Sequence, residues 1–269
     1  MKSIKTYLKE RKSVRDFQDR RLNTDDASNV RNAIKEVKEK LGWDEVDLDL
    51  VEDGEKVYKA LEGKAGYAGV FIKSGAYIPV IYSDDQMINH IKAAFYMGDL
   101  ITKLLELNLG SCIITLNDDI KSEKESLFGP KGACAKYVIA LGYPEEKKAF
   151  TPEPTSSRLK VEDIVFLDEN FEKPATEKLR QMNMLDLFSE LKSAPSYKNL
   201  QPWRFVLEDG FVYAFVKNST DLVHSVADVG FAMYYFQEMA RTMGIDNNWE
   251  IVEKVNPEGD YIKLGRYKI

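Results

Sequence analysis

A group of cationic and hydroxyl side chains near the start of the chain has the chemistry of an anion site. Arg11, Lys12, Ser13 and Arg15 follow closely on one another in the segment Glu10-Arg11-Lys12-Ser13-Val14-Arg15-Asp16-Phe17. Guanidinium groups donate forked, charge-assisted hydrogen bonds to phosphate oxygens, and the ammonium and the hydroxyl add further donors. A solvated basic turn is the alternative interpretation, and it is the commoner one for an isolated segment of this kind. The segment indicates a phosphate site only in combination with a second one.

A second polar segment near the end of the chain supplies neutral hydrogen-bonding groups. It reads Ser193-Ala194-Pro195-Ser196-Tyr197-Lys198-Asn199-Leu200-Gln201-Pro202-Trp203-Arg204-Phe205. The two proline rings fix the backbone, and the side chains of Ser196, Asn199 and Gln201 supply neutral hydrogen-bond donors and acceptors at defined spacing. The structural alternative is a rigid loop that caps a helix and starts a strand.

Both segments resemble signatures of the nitroreductase family. The first is similar to the family's Arg-X-Ser-Val-Arg-X-Phe pattern and the second to Ala-Pro-Ser-X-X-Asn-X-Gln-Pro-Trp-X-Phe. In ordinary members every subunit carries both, and each FMN lies at a dimer interface, held by the basic motif of one subunit and the Pro-Ser loop of the other. The resemblance implies FMN as the cofactor, bound by Arg11, Lys12, Ser13, Arg15, Pro195, Ser196, Tyr197, Asn199 and Gln201.

The resemblance also assigns residues outside the two signatures. Ile114, Thr115 and Leu116 fall in the stretch that runs beside the flavin ring in the family and offers a backbone N–H toward N5, although the residues alone indicate a buried strand. Ser157 and Arg158 resemble the basic element that returns to the phosphate, and Lys73 lies near a position where the family often places a lysine facing the pyrimidine. No side chain is assigned as catalytic, since the flavin carries the chemistry.

Hydrophobic periodicity places these motifs between regular elements. The patterns predict a first helix at 2–10, further helices at 25–41, 120–127, 176–192 and 223–243, and a long helix that starts after Ser83-Asp84-Asp85 and ends near Asn108. Strands are predicted at 70–72, 78–82, 112–116, 137–141, 203–207, 212–216 and 261–265.

The second part of the chain repeats the order of the first. A shift of 136 positions superposes Ala93–Met97 on Val229–Met233, and a shift of 123 superposes Val138–Gly142 on Tyr261–Gly265. Two such matches in the same order favour an internal duplication over chance similarity of amphipathic segments. The expected fold is α+β and nitroreductase-like, with two related α/β halves packed as a single-chain pseudo-dimer around central antiparallel sheets.

Each predicted half keeps one of the two signatures. The N-terminal half, 1–165, has Lys38–Glu45 where a Pro-Ser loop is expected, and the C-terminal half, 166–269, has Leu179–Leu185 where the basic motif is expected. One of two interface sites has therefore lost both of its parts. We expect one FMN per chain and a monomer that acts as a pseudo-dimer.

Composition excludes several other functions. A net charge of -6 and a pI near 5.3 argue against nucleic-acid binding, which rests on a basic surface. The two histidines and two cysteines match no metal-binding spacing, so no metal is expected. No apolar run approaches the roughly 20 residues needed to span a bilayer, and the start lacks a signal-peptide pattern, so no membrane partner and a cytoplasmic location are expected.

The resemblance to the nitroreductase family implies an FMN-dependent oxidoreductase. It would use NAD(P)H to reduce a small planar acceptor, such as a nitroaromatic or a quinone, by a ping-pong mechanism. The chain contains no Gly-X-Gly-X-X-Gly motif for a stably bound dinucleotide. Alternatives are a non-catalytic FMN-binding or storage protein, a pseudoenzyme with an empty pocket, and a specialised dehalogenase-like or flavin-degrading relative.

Overall fold

A computed structural model describes residues 11–66, 68–146, 157–253 and 258–269 of the chain. The helix predicted at 2–10 lies outside these residues. Contacts divide the described chain into two compact units. Unit 1 contains residues 86–98 and those from 157 onward, and unit 2 contains residues 11–85 and 99–146.

Unit 2 is built on a four-stranded antiparallel sheet. Its strands are β1 (Val46–Leu48), β2 (Ala76–Tyr82), β3 (Gly110–Thr115) and β4 (Ala135–Gly142), in the spatial order β1-β2-β4-β3. All of β2 is buried, which explains why its sequence is apolar without alternation. Strand β3 lies at an edge of the sheet, so one row of its backbone groups is not used by the ladder.

The helices of unit 2 cover this sheet. They are α1 (Thr24–Leu41), α2 (Gly54–Leu61), the second half of the long helix α3 (Met87–Glu106), and α4 (Lys121–Phe128). Helix α1 begins at Asn23, whose Oδ1 accepts the Asp26 N–H at 2.7 Å, and ends at Gly42 in the left-handed region with φ 63°. Its buried face follows helical spacing through Ala27, Val30, Ile34 and Val37.

Unit 1 contains a five-stranded sheet. Its strands are β5 (Val165–Phe166), β6 (Trp203–Glu208), β7 (Phe211–Lys217), β8 (Glu250–Ile251) and β9 (Tyr261–Lys268), in the order β5-β6-β7-β9-β8. The β5–β6 pair is parallel and the others are antiparallel. Asp209 and Gly210 both have positive φ and form the two-residue hairpin turn between β6 and β7.

Three helices complete unit 1 beside the first half of α3. They are α5 (Thr176–Gln181), α6 (Leu185–Leu191) and the long, almost fully buried α7 (Leu222–Thr242). The single helix predicted at 176–192 is therefore wrong, because Asn183 adopts a left-handed conformation with φ 56° and separates α5 from α6. Asparagine tolerates this conformation better than most residues, so it ends a helix readily.

The strand predicted at 70–72 is also not formed. The buried Tyr77 hydroxyl donates to the Ile72 carbonyl at 2.7 Å and accepts the Ser74 N–H at 3.0 Å, so these backbone groups serve a turn. The remaining predicted helices and strands within the described residues are confirmed, with ends that differ by a few positions.

The two sheets share a pattern of connections. In unit 2, strand β2 is followed by α3, β3 and β4, and the spatial order is β2-β4-β3. Strand β7 is followed by α7, β8 and β9, and the spatial order is β7-β9-β8. The same order of three strands, with a long helix after the first, therefore occurs twice, and the first instance adds α4 between β3 and β4.

Helices α3 and α7 approach closely inside unit 1 at small residues. A Cβ atom at Gly98 would lie 2.6 Å from the Tyr234 ring, and one at Gly230 would lie 2.8 Å from the Ala94 Cβ. In both contacts the two residues are 136 positions apart, which is the shift that superposes the predicted repeats. Residues that are equivalent in the repeat thus contact each other.

The compact units and the predicted halves divide the chain differently. Residues 86–98 belong to the predicted half 1–165 but pack in unit 1 with α7. The boundary at 165 stays a prediction about the repeat, and the units describe which segments pack together.

Gly98→Ala tests the close approach of α3 and α7. We expect the free energy of unfolding to fall by about 1–3 kcal/mol, because overpacking against the buried Tyr234 ring outweighs a gain in helix propensity of roughly 1 kcal/mol. Urea denaturation measures the change, and Ser28→Ala on the exposed face of α1 is the control, with a change within about 0.5 kcal/mol. A more stable Gly98→Ala protein would contradict the packing described.

Candidate functional site

The basic segment at 11–17 is extended and runs beside the edge strand β3. The Val14 N–H donates to the Ser111 carbonyl at 2.9 Å, Ser13 forms a parallel bridge with Ser111, and Phe17 forms an antiparallel bridge with Pro144. Side chains alternate along an extended backbone, so Arg11, Ser13 and Arg15 lie on one face. We call these three residues the cationic strip.

Gly110 allows the basic segment to approach β3 closely. A Cβ at this position would lie 2.9 Å from the Val14 Cγ2 and 3.0 Å from the Pro144 Cγ. Val14 therefore fills the space that a side chain at position 110 would occupy, on the face opposite the cationic strip. This contact fixes the register of the segment on the strand.

The buried Cys112 thiol of β3 interacts with all three residues of the cationic strip. Burial raises the pKa of Cys112, while the charge of Arg15, a hydrogen bond with Ser13 and the charge of Arg11 oppose this rise. All three members of the strip therefore act on the same point of β3.

One donor of the strip has no partner among the described residues. The Arg11 Nε is fully buried and makes no hydrogen bond there, although a buried donor without a partner is destabilising by about 1–3 kcal/mol. The Arg15 and Lys12 side chains beside it are exposed. Two guanidinium groups, one of them with an unsatisfied buried N–H, and a hydroxyl together fit a phosphate dianion.

The pairing of β3 with β4 determines the edge to which each of the three predicted backbone donors, Ile114, Thr115 and Leu116, points. The Leu116 N–H donates to the Lys136 carbonyl at 2.8 Å, and Ile114, two residues earlier, pairs with Val138 in the same register. Backbone groups alternate between the two edges of an antiparallel strand, so the Thr115 N–H points to the open edge. Of the three, only Thr115 can offer its N–H to a ligand. Its carbonyl accepts the Gly66 N–H at 3.1 Å.

Lys73 lies in unit 2 in an ion pair. Its Nζ is 2.8 Å from Asp19 Oδ1, and its side chain is half exposed. The hydrogen bond with Asp19 raises the pKa of Lys73. The lysine thus remains charged, and its predicted role toward a flavin pyrimidine stays a prediction.

The second predicted segment forms an irregular loop in unit 1. We call residues 193–203 the Pro-Ser loop. Its centre is a short turn at Tyr197–Asn199, and Lys198, Asn199 and Gln201 all have positive φ, between 49° and 57°. Left-handed conformations cost side-chain-bearing residues about 1 kcal/mol or more each, so contacts outside the loop must stabilise them.

Ser157 and Arg158 contact the Pro-Ser loop directly. The Asn199 amide donates to the Ser157 carbonyl at 2.9 Å, and Arg158 Nη1 donates to Asn199 Oδ1 at 2.9 Å and to the Ala194 carbonyl at 3.1 Å. These contacts bring together three of the predicted residues, Ser157, Arg158 and Asn199.

Gln201 supports the loop from inside. It is buried, its Oε1 accepts the Leu159 N–H at 2.9 Å, and its Nε2 donates to the Ser157 carbonyl at 3.3 Å and the Asn199 carbonyl at 3.2 Å. Its own N–H donates to the Ser196 Oγ at 3.2 Å. Both ends of the amide are thus engaged inside the protein, so the structure gives Gln201 a supporting position.

Helix α7 supports the loop with residues that the sequence did not single out. Asp228 Oδ2 accepts the Tyr197 N–H at 2.9 Å, and the His224 ring packs on the Tyr197 ring with centroids 4.6 Å apart. Burial raises the pKa of Asp228 well above its ordinary value, and the Tyr197 N–H opposes the rise. A single carboxylate in the otherwise apolar run Val226–Phe236 was the signal available in the sequence.

The comparisons with known proteins identify the family. Residues 3–240 match the family described as "Putative TM nitroreductase". The chain belongs to this nitroreductase family. The nitroreductase-like resemblance seen in the two signatures is thereby confirmed, and the chain is an oxidoreductase of that family.

Solved structures show the same fold. A protein from Thermotoga maritima, described as a putative nitroreductase, has a TM-score of 0.61 and 16% identity, over 97% of this chain and 93% of that chain. This likeness confirms the α+β nitroreductase-like fold for nearly the whole chain.

Other similar structures align with somewhat more than half of this chain and with nearly all of their own length. An FMN-dependent nitroreductase from Clostridium difficile has a TM-score of 0.44 and 22% identity, over 56% of this chain and 92% of that chain. A nitroreductase with bound FMN from Bacteroides fragilis has a TM-score of 0.47 and 16% identity, over 58% and 96%. No curated protein matches the chain.

Two further observations concern metals and membranes. Within the described ranges, no group of three or more His, Cys, Asp or Glu side chains is arranged to hold a metal ion. Among the helices of the described residues, none has both the length and the hydropathy to span a bilayer.

The hydrogen bonds distinguish supporting residues from residues with free donors, and stability measurements can test the distinction. In FMN-free protein, Gln201→Ala is expected to lower the free energy of unfolding by about 1–3 kcal/mol, because it leaves the Leu159 N–H and the Ser157 carbonyl without their partner. Arg11→Ala removes a buried donor that has no partner among the described residues, so it is expected to leave the free energy of unfolding unchanged or to raise it by up to about 1–3 kcal/mol. Urea denaturation of both variants provides the comparison, and equal losses would contradict the assignment.

Proposed function

We propose that the chain binds one FMN and uses NAD(P)H to reduce a small planar acceptor, such as a nitroaromatic or a quinone. The observation that carries the proposal is the buried Arg11 Nε without a partner, in a strip of two guanidinium groups and a hydroxyl. The family membership supports it, and so does the resemblance of both binding segments to the family's signatures.

The cationic strip is proposed to hold the phosphate of FMN. Arg11 contributes a buried donor, Ser13 a hydroxyl, and the exposed Arg15 and Lys12 contribute charge. Charge-assisted hydrogen bonds of this kind are each worth about 1.5–3 kcal/mol, more than neutral ones. The strip lies on the open edge of β3, where Thr115 offers a backbone N–H, and we assign that N–H to the ring atom that accepts hydride.

The Pro-Ser loop is proposed to contact the same cofactor. Pro195, Ser196, Tyr197 and Asn199 are the residues of the loop that we assign to FMN, together with Ser157 and Arg158. Arg158 already donates to Asn199 Oδ1, so the charge that it adds is held in place by the loop. Gln201 stays in the proposal as the residue that supports this arrangement.

When bound, FMN supplies the redox chemistry, accepting a hydride from NAD(P)H and returning two electrons, with protons, to the acceptor. The protein is proposed to orient the ring and to provide the Thr115 N–H dipole and the positive charge near it. NAD(P)H and the acceptor use the same position in turn, which makes the mechanism ping-pong. The absence of a Gly-X-Gly-X-X-Gly motif in the sequence agrees with a dinucleotide that binds only transiently.

We also propose that the chain arose by internal duplication. The repeated order β2-β4-β3 and β7-β9-β8 supports this, as do the contacts of Gly98 with Tyr234 and of Gly230 with Ala94. Contact between equivalent residues is the signature of a twofold relation. Because each half keeps one signature, the expected stoichiometry is one FMN per chain, without a second subunit.

Binding measurements test whether both segments serve one cofactor. Arg11→Ala is expected to raise the Kd for FMN about tenfold to a hundredfold, because a charge-assisted hydrogen bond is lost, and Asn199→Ala about tenfold. Arg180→Ala is the control, since Arg180 is more than half exposed and paired with Glu177. Flavin fluorescence titration gives the Kd and the stoichiometry. Equal losses in all three variants, or two FMN per chain, would refute the one-site proposal.

Anaerobic spectroscopy tests turnover. The purified or FMN-loaded protein is expected to be yellow, to bleach on addition of NADH or NADPH, and to recover its colour when a nitroaromatic or a quinone is added. Steady-state rates should give parallel lines in double-reciprocal plots, as a ping-pong mechanism requires. Protein that binds FMN but is not bleached by either dinucleotide would instead be a flavin-binding protein without this activity.

A further inference from the structure

Asp228 is a buried carboxyl in an apolar part of helix α7. Its residue is 6% exposed, and its neighbours Val226, Ala227, Val229 and Gly230 are apolar or small and buried. A carboxyl group in such surroundings is unfavourable unless a hydrogen bond compensates for the loss of water. Asp228 therefore needs a hydrogen-bond donor from the protein.

The compensating contact is made with the backbone of the Pro-Ser loop. The Tyr197 N–H lies 3.0 Å from Asp228 Oδ1 and 2.9 Å from Oδ2, so it is shared by both oxygens. It is the only hydrogen bond of this carboxyl within the described part of the chain. Asp228 is thus directed at one backbone group of the loop.

Two other residues contact the loop beside this point, Asp221 directly before α7 and His224 in its first turn. Asp221 Oδ2 lies 3.8 Å from Lys198 Nζ, and the His224 ring packs on the Tyr197 ring. The positions 221, 224 and 228 are separated by three and four residues, which places them on one side of a helix. The first two turns of α7 thereby form a platform for Tyr197 and Lys198.

The loop needs such a platform because its backbone is strained. Lys198 and Asn199 follow Tyr197 directly, and both have left-handed φ, 49° and 57°. Gln201 restrains the loop on the side of Ser157 and Leu159, and Asp228 restrains it on the side of α7. Tyr197 lies between Ser196 and Asn199, so its position constrains the backbone that carries these two side chains.

We infer that Asp228 is a positioning residue for flavin binding, which holds the Tyr197 N–H and so sets the orientation of Ser196 and Asn199. This inference rests on the proposed function for its consequence, FMN affinity, while the anchoring of the loop can be tested without flavin. Asp228 touches neither the cofactor nor the substrate in this role and acts through the loop backbone.

The test compares variants that keep and remove the acceptor. Asp228→Asn retains a carbonyl oxygen for the Tyr197 N–H, and the Kd for FMN is expected to stay within about threefold of the parent. Asp228→Ala removes the acceptor, and we expect the Kd to rise about tenfold or more, with a changed visible circular dichroism band of the bound flavin. These changes follow from the loss of one buried hydrogen bond and the relaxation of a strained loop.

Gln237→Ala is the matched control. Gln237 is also 6% exposed on α7, and its Oε1 accepts a backbone N–H, that of Trp249, at 3.2 Å. This variant should lose stability in a similar way while it keeps the parent Kd and the parent flavin spectrum. Equal effects of Asp228→Ala and Gln237→Ala on the Kd would overturn the inference, as would parent-like FMN binding by Asp228→Ala.

Hydrogen exchange tests the anchor if Asp228→Ala fails to fold or if the parent does not bind FMN. In the FMN-free parent, the Tyr197 amide is expected to exchange slowly, and in Asp228→Asn it should stay protected to within about tenfold. A Tyr197 amide that exchanges at the rate of an open loop in the parent would overturn the inference. Absence of FMN binding by the parent, with a protected Tyr197 amide, would refute the proposed function and leave the anchor established.

Discussion

Both candidate binding segments lie outside the helices and strands, and each takes its shape from hydrogen bonds to a regular element beside it. Backbone N–H and C=O groups that are removed from water need partners, so an irregular segment is defined only where a neighbour supplies them. For the basic segment the neighbour is the edge of β3, through the bond from Val14 to Ser111. For the Pro-Ser loop the neighbours are α7 and residues 157–159, through Asp228 and Gln201.

The same constraint separates two kinds of polar residue in the site. Gln201 and Asp228 are buried, and their polar atoms are engaged with backbone groups of the protein, so they maintain conformation. Arg11 has a buried donor that no described residue accepts from, and Thr115 has an N–H on the open edge of its strand. Free donors of this kind identify positions where a ligand can replace water, whereas engaged donors do not.

The glycines at the helix contact show how closely the repeated elements are packed. Gly98 leaves room for the Tyr234 ring, and Gly230 leaves room for the Ala94 methyl group and the Ile91 backbone. Small residues allow two helices to approach, and the large neighbour then fills the remaining space. Position 98 and position 234 correspond in the predicted repeat, yet one is glycine and the other tyrosine. A single chain can place a small residue and a large residue at two such positions. Two identical subunits would carry the same residue at both.

The sequence by itself determined the order of the elements, the family and the two segments with ligand chemistry. Apolar periodicity located α1, α3 and α7 within a few residues, because a helix that buries one face must repeat its apolar positions with helical spacing. It failed at Asn183 and at Ile72–Ser74, where a left-handed residue and a buried tyrosine hydroxyl decide the backbone locally.

Only the tertiary structure decided which of the predicted site residues have free groups and which are engaged. The sequence treated Gln201 and Arg11 alike as ligand residues, and it treated Ile114, Thr115 and Leu116 alike, because residue type and spacing carry no information about partners. The pairing of β3 with β4 leaves Thr115 as the one donor of the three on the open edge of the strand, and the contact with α7 reveals Asp228. Hydrogen-bond partners distant along the chain are set by packing, which the local pattern of residues does not encode.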